Sequence, residues 1–215
     1  KNLCCGEQLK DVSVTLKKGE IVGVGGLSSC GMHALGKAMF GALALESGNV
    51  LTGEGEVITT PHMAIEKKIG YVSKDRDVES LCLSASIKDN IAIAGMEQFA
   101  VGGHLITNAN EKKYVRKQIQ DLSIKCSDEN QLTGQLSGGN KQKVVFGKWI
   151  GCGSEILILD CPTRGVDIGV KQAMYQLMIQ LKKEGRAILL ISEELPELLG
   201  MSDRILIMKD GQISP

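Results

Sequence analysis

An apolar run that feeds a glycine-rich loop, which in turn opens a helix, constrains this chain most. Ile21–Val24 is a short run that fits a buried strand. Gly25–Gly31 is a loop of Gly, Leu, Ser and Cys, and from Met32 the apolar positions Leu35, Met39 and Leu43 recur at helical spacing. Backbone N–H groups at such a loop, together with the helix dipole, favour a bound anion, phosphate above all. The phosphate-loop pattern G-x-x-x-x-G-K-[ST] has its two framing glycines here, Gly26 and Gly31, around Leu27, Ser28, Ser29 and Cys30. Met32 stands at the lysine position and His33 at the hydroxyl position. A methionine cannot make the charge-assisted hydrogen bond, worth roughly 1.5–3 kcal/mol. His33 brings no hydroxyl oxygen to Mg2+, a hard ion. Taken alone, the window also reads as a plain glycine-rich turn, with Met32 packed in the core.

The rest of the chain alternates strand and helix patterns. Val12, Val14 and Leu16 alternate with polar residues as in a half-buried strand, and Ile69–Ser73 reads as another. Ser84–Ala94 and Asn110–Leu122 read as helices, the second with a solvated face of Lys112, Lys113, Arg116 and Lys117. A further helix starts near Gly138. Ile156–Leu159 is continuously apolar and ends in Asp160, a helix covers about Gly169–Glu184, and Ala187–Ile191 and Ile205–Met208 complete the strands. Apolar runs alternating with helices predict an α/β fold with a mainly parallel sheet covered on both faces. The reading places that core at about 1–80 and 145–215, with a helical subdomain inserted at about 80–145.

Composition excludes several classes. The 215 residues carry 25 Lys and Arg against 25 Asp and Glu, which argues against a broad basic field for nucleic acid. Aromatics at 3% leave little for a base-stacking surface or an all-β sandwich. No apolar run reaches the ~18 residues of a membrane span. Seven cysteines, an odd number without a CxxC pair, read as reduced thiols, and the spacing of His33, His62 and His104 predicts no metal site. The chain opens on Lys1 and stops at Pro215 just after a strand-like segment, which predicts a piece of a longer polypeptide.

The second half carries the more specific strings. Leu136-Ser137-Gly138-Gly139-Asn140-Lys141-Gln142 sets a serine and two glycines before a helix, again an anion-binding end. Asp160, after four apolar residues, has the Walker B form that holds Mg2+ at a strand end. Cys161-Pro162-Thr163-Arg164-Gly165-Val166-Asp167 follows directly.

In this order the motifs resemble the nucleotide-binding domain of an ATP-binding cassette (ABC) transporter, from about Asp11 to Ile213. The likeness is to the second of two fused cassettes in ribose-, galactose- and xylose-type sugar importers. LSGGNKQKVVFGKWI at 136–150, LILDCPTRGVDIG at 157–169 and ISEELPELLGMSDRILIMKDG at 191–211 carry it. The resemblance implies an antiparallel β portion at the N-terminus, ATP and Mg2+ as cofactors, and a P-loop core with a helical subdomain. It implies that Ser137, Gly138 and Gly139, with Asn140 and Gln142, are the signature that meets the γ-phosphate held by an opposite cassette. Asp160 matches the Walker B acid and Asp167 the D-loop aspartate facing that partner. Lys74 replaces the Q-loop glutamine, Cys161 the catalytic acid, and Glu193 the switch histidine, where it brings negative charge near the phosphates and an oxygen ligand for Mg2+.

The implied partners are the first cassette of the same polypeptide, transmembrane permease subunits and, indirectly, a sugar-binding protein, at the cytoplasmic face of the membrane. Because Met32, His33 and Cys161 depart from the family pattern while the signature is kept, the expectation is an asymmetric cassette. It would lend its signature to a partner's site and bind nucleotide weakly itself. A docking module that binds no nucleotide, and a self-sufficient ATPase that keeps Asp160 and Asp167, are the alternatives. A soluble ABC ATPase of DNA repair or translation is disfavoured by the zero net charge.

Overall fold

A computed structural model describes residues 1–102 and 105–214, so His104 lies outside the described residues. Ten strands and eight α-helices are present among them. The strands are β1 (Leu3–Cys5), β2 (Leu9–Val12), β3 (Ile21–Gly26), β4 (Val50–Leu51), β5 (Val57–Ile58), β6 (Ile69–Val72), β7 (Ile156–Asp160), β8 (Ala187–Ile191), β9 (Arg204–Lys209) and β10 (Gln212–Ile213). The helices are α1 (Met32–Met39), α2 (Pro61–Glu66), α3 (Ile87–Ala92), α4 (Met96–Phe99), α5 (Asn108–Asp121), α6 (Gly138–Gly151), α7 (Ile168–Lys183) and α8 (Leu195–Met201).

The chain folds into two units. The first comprises Lys1–Lys74, Glu155–Pro162 and Gln172–Pro215. It holds a six-stranded sheet in the order β10-β9-β3-β8-β7-β6, parallel except for the β9–β10 hairpin. The register sets Val22 beside Leu189, Val24 beside Ile191, and Leu189 beside Ile158, which puts these side chains on one face. Helix α1 covers that face: a Cβ at Gly36 would meet Ile191 and Ile158 within 3.4 Å, so only glycine lets the helix approach so closely. Gly23 and Gly25 point to the other face, where Leu198 of α8 crosses them. The central strands are buried on both sides, which is why they read as unbroken apolar runs.

The second unit comprises Asp75–Ser154 and Thr163–Lys171. Helices α3, α5 and α6 pack around Ile87, Ile91, Val115, Val144, Val145 and Phe146, each completely buried. Each such side chain contributes about 1.5–3 kcal/mol relative to an exposed one. Ser86 opens α3 with a capping box to Asp89, and Thr107 caps α5.

The structure departs from the sequence expectation in detail. Val14 and Leu16 lie outside any strand; the strand is β2, whose antiparallel partner β1 begins at Leu3 opposite Val12, so no partner extends further. The predicted helix at Ser84–Ala94 begins only after the Ser86 cap. The hairpin closing the sheet turns on Asp210 and Gly211, both at positive φ, an Asp-Gly signal that lies outside the apolar pattern marking the strands.

Candidate functional site

Strand β3 delivers the chain into the loop Leu27–Gly31, and Gly31 enters α1 at φ +100°, a left-handed conformation that glycine adopts freely. A Cβ there would strike the Gln8 carbonyl. No side chain caps α1, so the N–H groups of its first turn remain available to an anion. Leu27, Ser28 and Ser29 are exposed, while Cys30 and Gly31 are buried. Met32 is completely buried: at the position of the expected lysine the side chain packs into the core.

The ends of the parallel strands converge on this loop. Asp160, at the end of β7, is inaccessible to solvent, and both its oxygens have partners. Oδ1 lies 2.7 Å from His33 Nδ1, and Oδ2 accepts a hydrogen bond from the Tyr71 hydroxyl at 3.2 Å. Lys74, just past β6, reaches back to the loop: its ammonium donates to Ser28 Oγ at 3.1 Å and to Glu193 Oε1 at 2.6 Å, and lies 3.0 Å from His33 Nε2. Glu193 Oε1 is 3.4 Å from the same ring nitrogen. The hydrogen bond from Lys74, then that from Ser28, holds the Glu193 carboxyl at about 2, well below the usual range. Cys161 follows Asp160 at φ +49°. Burial, then the charges of Asp160 and Glu193, push its thiol up to about 12. A thiol so placed is a poor proton acceptor near neutral pH.

The unit therefore brings together Ser28, His33, Lys74, Asp160, Cys161 and Glu193, which the sequence scatters over 166 positions. It does not bring Met32 into that group. The second unit carries the Leu136–Gln142 string. Ser137 is exposed immediately before α6, with Gly138 half-buried and Gly139 buried. The Asn140 amide donates to Ser137 Oγ at 3.0 Å, and its oxygen accepts from the Lys125 N–H at 2.8 Å. Gln142 is buried on α6 rather than displayed beside Ser137. Asp167 is exposed and accepts from the Val170 N–H at 3.0 Å, which fixes the start of α7.

A parallel sheet whose strand ends carry a glycine-framed loop at a helix start and a buried aspartate defines the core fold of the P-loop ATPases. The profile described as "ABC transporter" matches residues 9–164, and the chain belongs to that family. It is 43% identical over 209 residues to the "Ribose import ATP-binding protein RbsA" of Lactococcus lactis subsp. lactis (strain IL1403), covering 97% of this chain and 42% of that protein. It is 43% identical over 215 residues to the protein of the same name in Bacillus subtilis (strain 168), covering 100% and 43%. The chain thus spans less than half the length of these relatives. Among solved structures, the dimeric MJ0796, "a Bacterial ABC Transporter Cassette", matches over 100% of this chain and 95% of its own with a TM-score of 0.84. At 19% identity, that match shows the shared fold.

Two contributors escaped the sequence reading. Tyr71 reads as part of a strand and of the string leading to Lys74, but its hydroxyl contact with Asp160 spans 89 positions. Arg76 donates to the Arg164 carbonyl at 2.8 Å and to the Gly165 carbonyl at 3.4 Å, bracing the loop before Asp167. No local pattern marks either contact.

Proposed function

We propose that this chain is the ATP-binding cassette of a sugar importer of the ribose type, one of two in a longer polypeptide, and that it acts chiefly by presenting its signature to nucleotide held on a partner cassette. On this reading the chain is peripheral to the cytoplasmic face of the membrane, and its helical unit docks a permease that receives sugar from a binding protein.

The observation that carries the reading is the closed set of contacts at its own phosphate loop. Lys74 is committed to Glu193 and Ser28, and Asp160 to His33 and Tyr71. ATP at this loop would meet the N–H groups of the Ser28–Met32 turn and the Lys74 ammonium, but also the Glu193 carboxylate. The donors do not suit Mg2+, which favours about six oxygens in near-octahedral array. In the cluster around Asp160, His33 offers nitrogen, Cys161 sulfur and Asp160 oxygen, while the Glu193 oxygen is already paired with Lys74. No hydrolytic step is therefore assigned to this loop.

The signature keeps what its role requires. Helix α6 directs its N-terminal dipole outward past Ser137. Because Ser137 Oγ accepts from Asn140, its own hydrogen is free for a phosphate oxygen. In the full-length two-cassette protein, Ser137→Ala should lower ATP turnover at least tenfold, as loss of a preorganised donor to a developing charge does. Met32→Leu should leave turnover unchanged. Normal turnover by Ser137→Ala overturns the proposal.

A further inference from the structure

The side chains that fail Mg2+ make a set for a softer ion. A ring nitrogen of His33, a carboxylate oxygen of Asp160 and Cys161 Sγ all lie within 4.8 Å of one another, and His33 Nδ1 is 2.7 Å from Asp160 Oδ1. We propose that His33, Asp160 and Cys161 form a binding site for Zn2+ or a chemically similar borderline-soft ion, with a fourth position open to water or an anionic oxygen. Nitrogen, carboxylate and thiolate are the donors Zn2+ takes, and three protein ligands plus an open position is its arrangement at non-structural sites.

The fold fixes these ligands before any ion arrives. Asp160 ends β7 and Cys161 follows it, with the Cys161 N–H held by the Ile191 carbonyl at 2.9 Å. His33 sits in the first turn of α1. The atoms behind the ligands are also in place. Tyr71 holds Asp160 Oδ2 and leaves Oδ1 for the ion. When His33 Nδ1 binds metal, the ring proton belongs on Nε2, which faces Glu193 at 3.4 Å. A carboxylate behind a ligating imidazole fixes its tautomer and strengthens it as a donor.

The charges agree. Asp160 and a Cys161 thiolate neutralise a dication, and the thiol proton is released to solvent as the ion binds. Lys74 Nζ lies 3.0 Å from Nε2, and because both are donors once that nitrogen carries the ring proton, the ammonium must draw back toward Glu193 and Ser28 as the ion binds. The 2.7 Å contact between His33 and Asp160 must widen by ~0.6 Å to admit bonds of ~2.0 Å in tetrahedral array. The partly exposed His33 gives the ion its way in, with 19% of its side chain accessible.

The test is a titration of the reduced 215-residue chain with Zn2+ against a chromophoric chelator, and with Co2+ by absorption. The expected result is one ion per chain at micromolar metal, tetrahedral cobalt bands, a thiolate charge-transfer band, and no competition from millimolar Mg2+. Cys161→Ser should remove the charge-transfer band, and Cys161→Ser and His33→Gln should each weaken binding at least tenfold. Tyr71→Phe should weaken it about tenfold. A Cys4→Ser, Cys5→Ser, Cys82→Ser variant should retain it. Circular dichroism establishes folding for each; if Cys161→Ser is unfolded, His33→Gln decides. No binding to the folded chain, binding unaffected by His33→Gln, or binding lost in the triple variant overturns the proposal. The titration contains no nucleotide, so its outcome is separate from that of the Ser137 assay.

Discussion

Lys74 and Glu193 meet at the phosphate loop, Nζ to Oε1 at 2.6 Å, although 119 positions separate them. The pair places an internal cation and an internal anion beside the glycine-framed loop. The Lys74 ammonium touches Ser28 of the loop itself, so the charge absent from Met32 re-enters from another strand end.

This pair sets a pH dependence. Glu193 is held at about 2 in the folded chain, chiefly by Lys74, against ~4.3 when unfolded. Its contribution to stability is therefore complete above the unfolded value and is lost as the pH falls through about 2. Its side chain is 41% exposed, so after solvent screening the pair contributes about 1 kcal/mol or less. Lys74→Gln should lose that amount in urea unfolding at pH 7, and the difference from the unsubstituted chain should shrink toward zero by pH 2. A difference that does not change with pH contradicts the assignment.

Gly139 and Val170 make the start of α6 sensitive to small changes. A Cβ at Gly139 would lie 2.6 Å from Val170 Cγ2. Gly139→Ala should therefore cost ~1–3 kcal/mol by overpacking. Val170→Ala should recover most of the loss, and a double-mutant cycle by urea unfolding reads the coupling. Additive effects would show that the two positions do not press on each other.

The thiols should divide by reactivity. Cys161, pushed up to about 12 chiefly by burial, should resist alkylation in the folded chain. Cys82 is exposed and its thiol is lowered by a hydrogen bond with the Ser84 hydroxyl. At pH 8 with EDTA, mass spectrometry of iodoacetamide-treated chain should show Cys82 modified roughly a hundredfold faster. Comparable rates at the two positions would contradict the environment assigned to Cys161.

Most of the sheet was legible because its strands are buried on both faces. Ala187–Ile191 and Ile156–Asp160 stand where their apolar runs stop, and α7 lies within one residue of its reading. Helix α1 was legible because Leu35 and Met39 follow a loop that must turn. The short strands β4 and β5 and the four-residue α4 carry too few residues for any period to show. At the site, residue positions could be read but not pairings. Cys161 and Glu193 were found as substitutions, yet nothing local to Lys74 says that its ammonium reaches Ser28 and Glu193. Gln142 fits the signature string by spacing, but its place on α6 turns it inward.

The most direct test of the central claim is calorimetry of this chain with Mg-ATP. The account predicts no saturable binding heat at micromolar nucleotide, because Met32 is packed in the core, Lys74 is paired with Glu193 and the donors at Asp160 do not suit Mg2+. A saturable site of micromolar Kd that disappears when Mg2+ is chelated would contradict it, and would make the loop a working nucleotide site rather than the silent half of a pair.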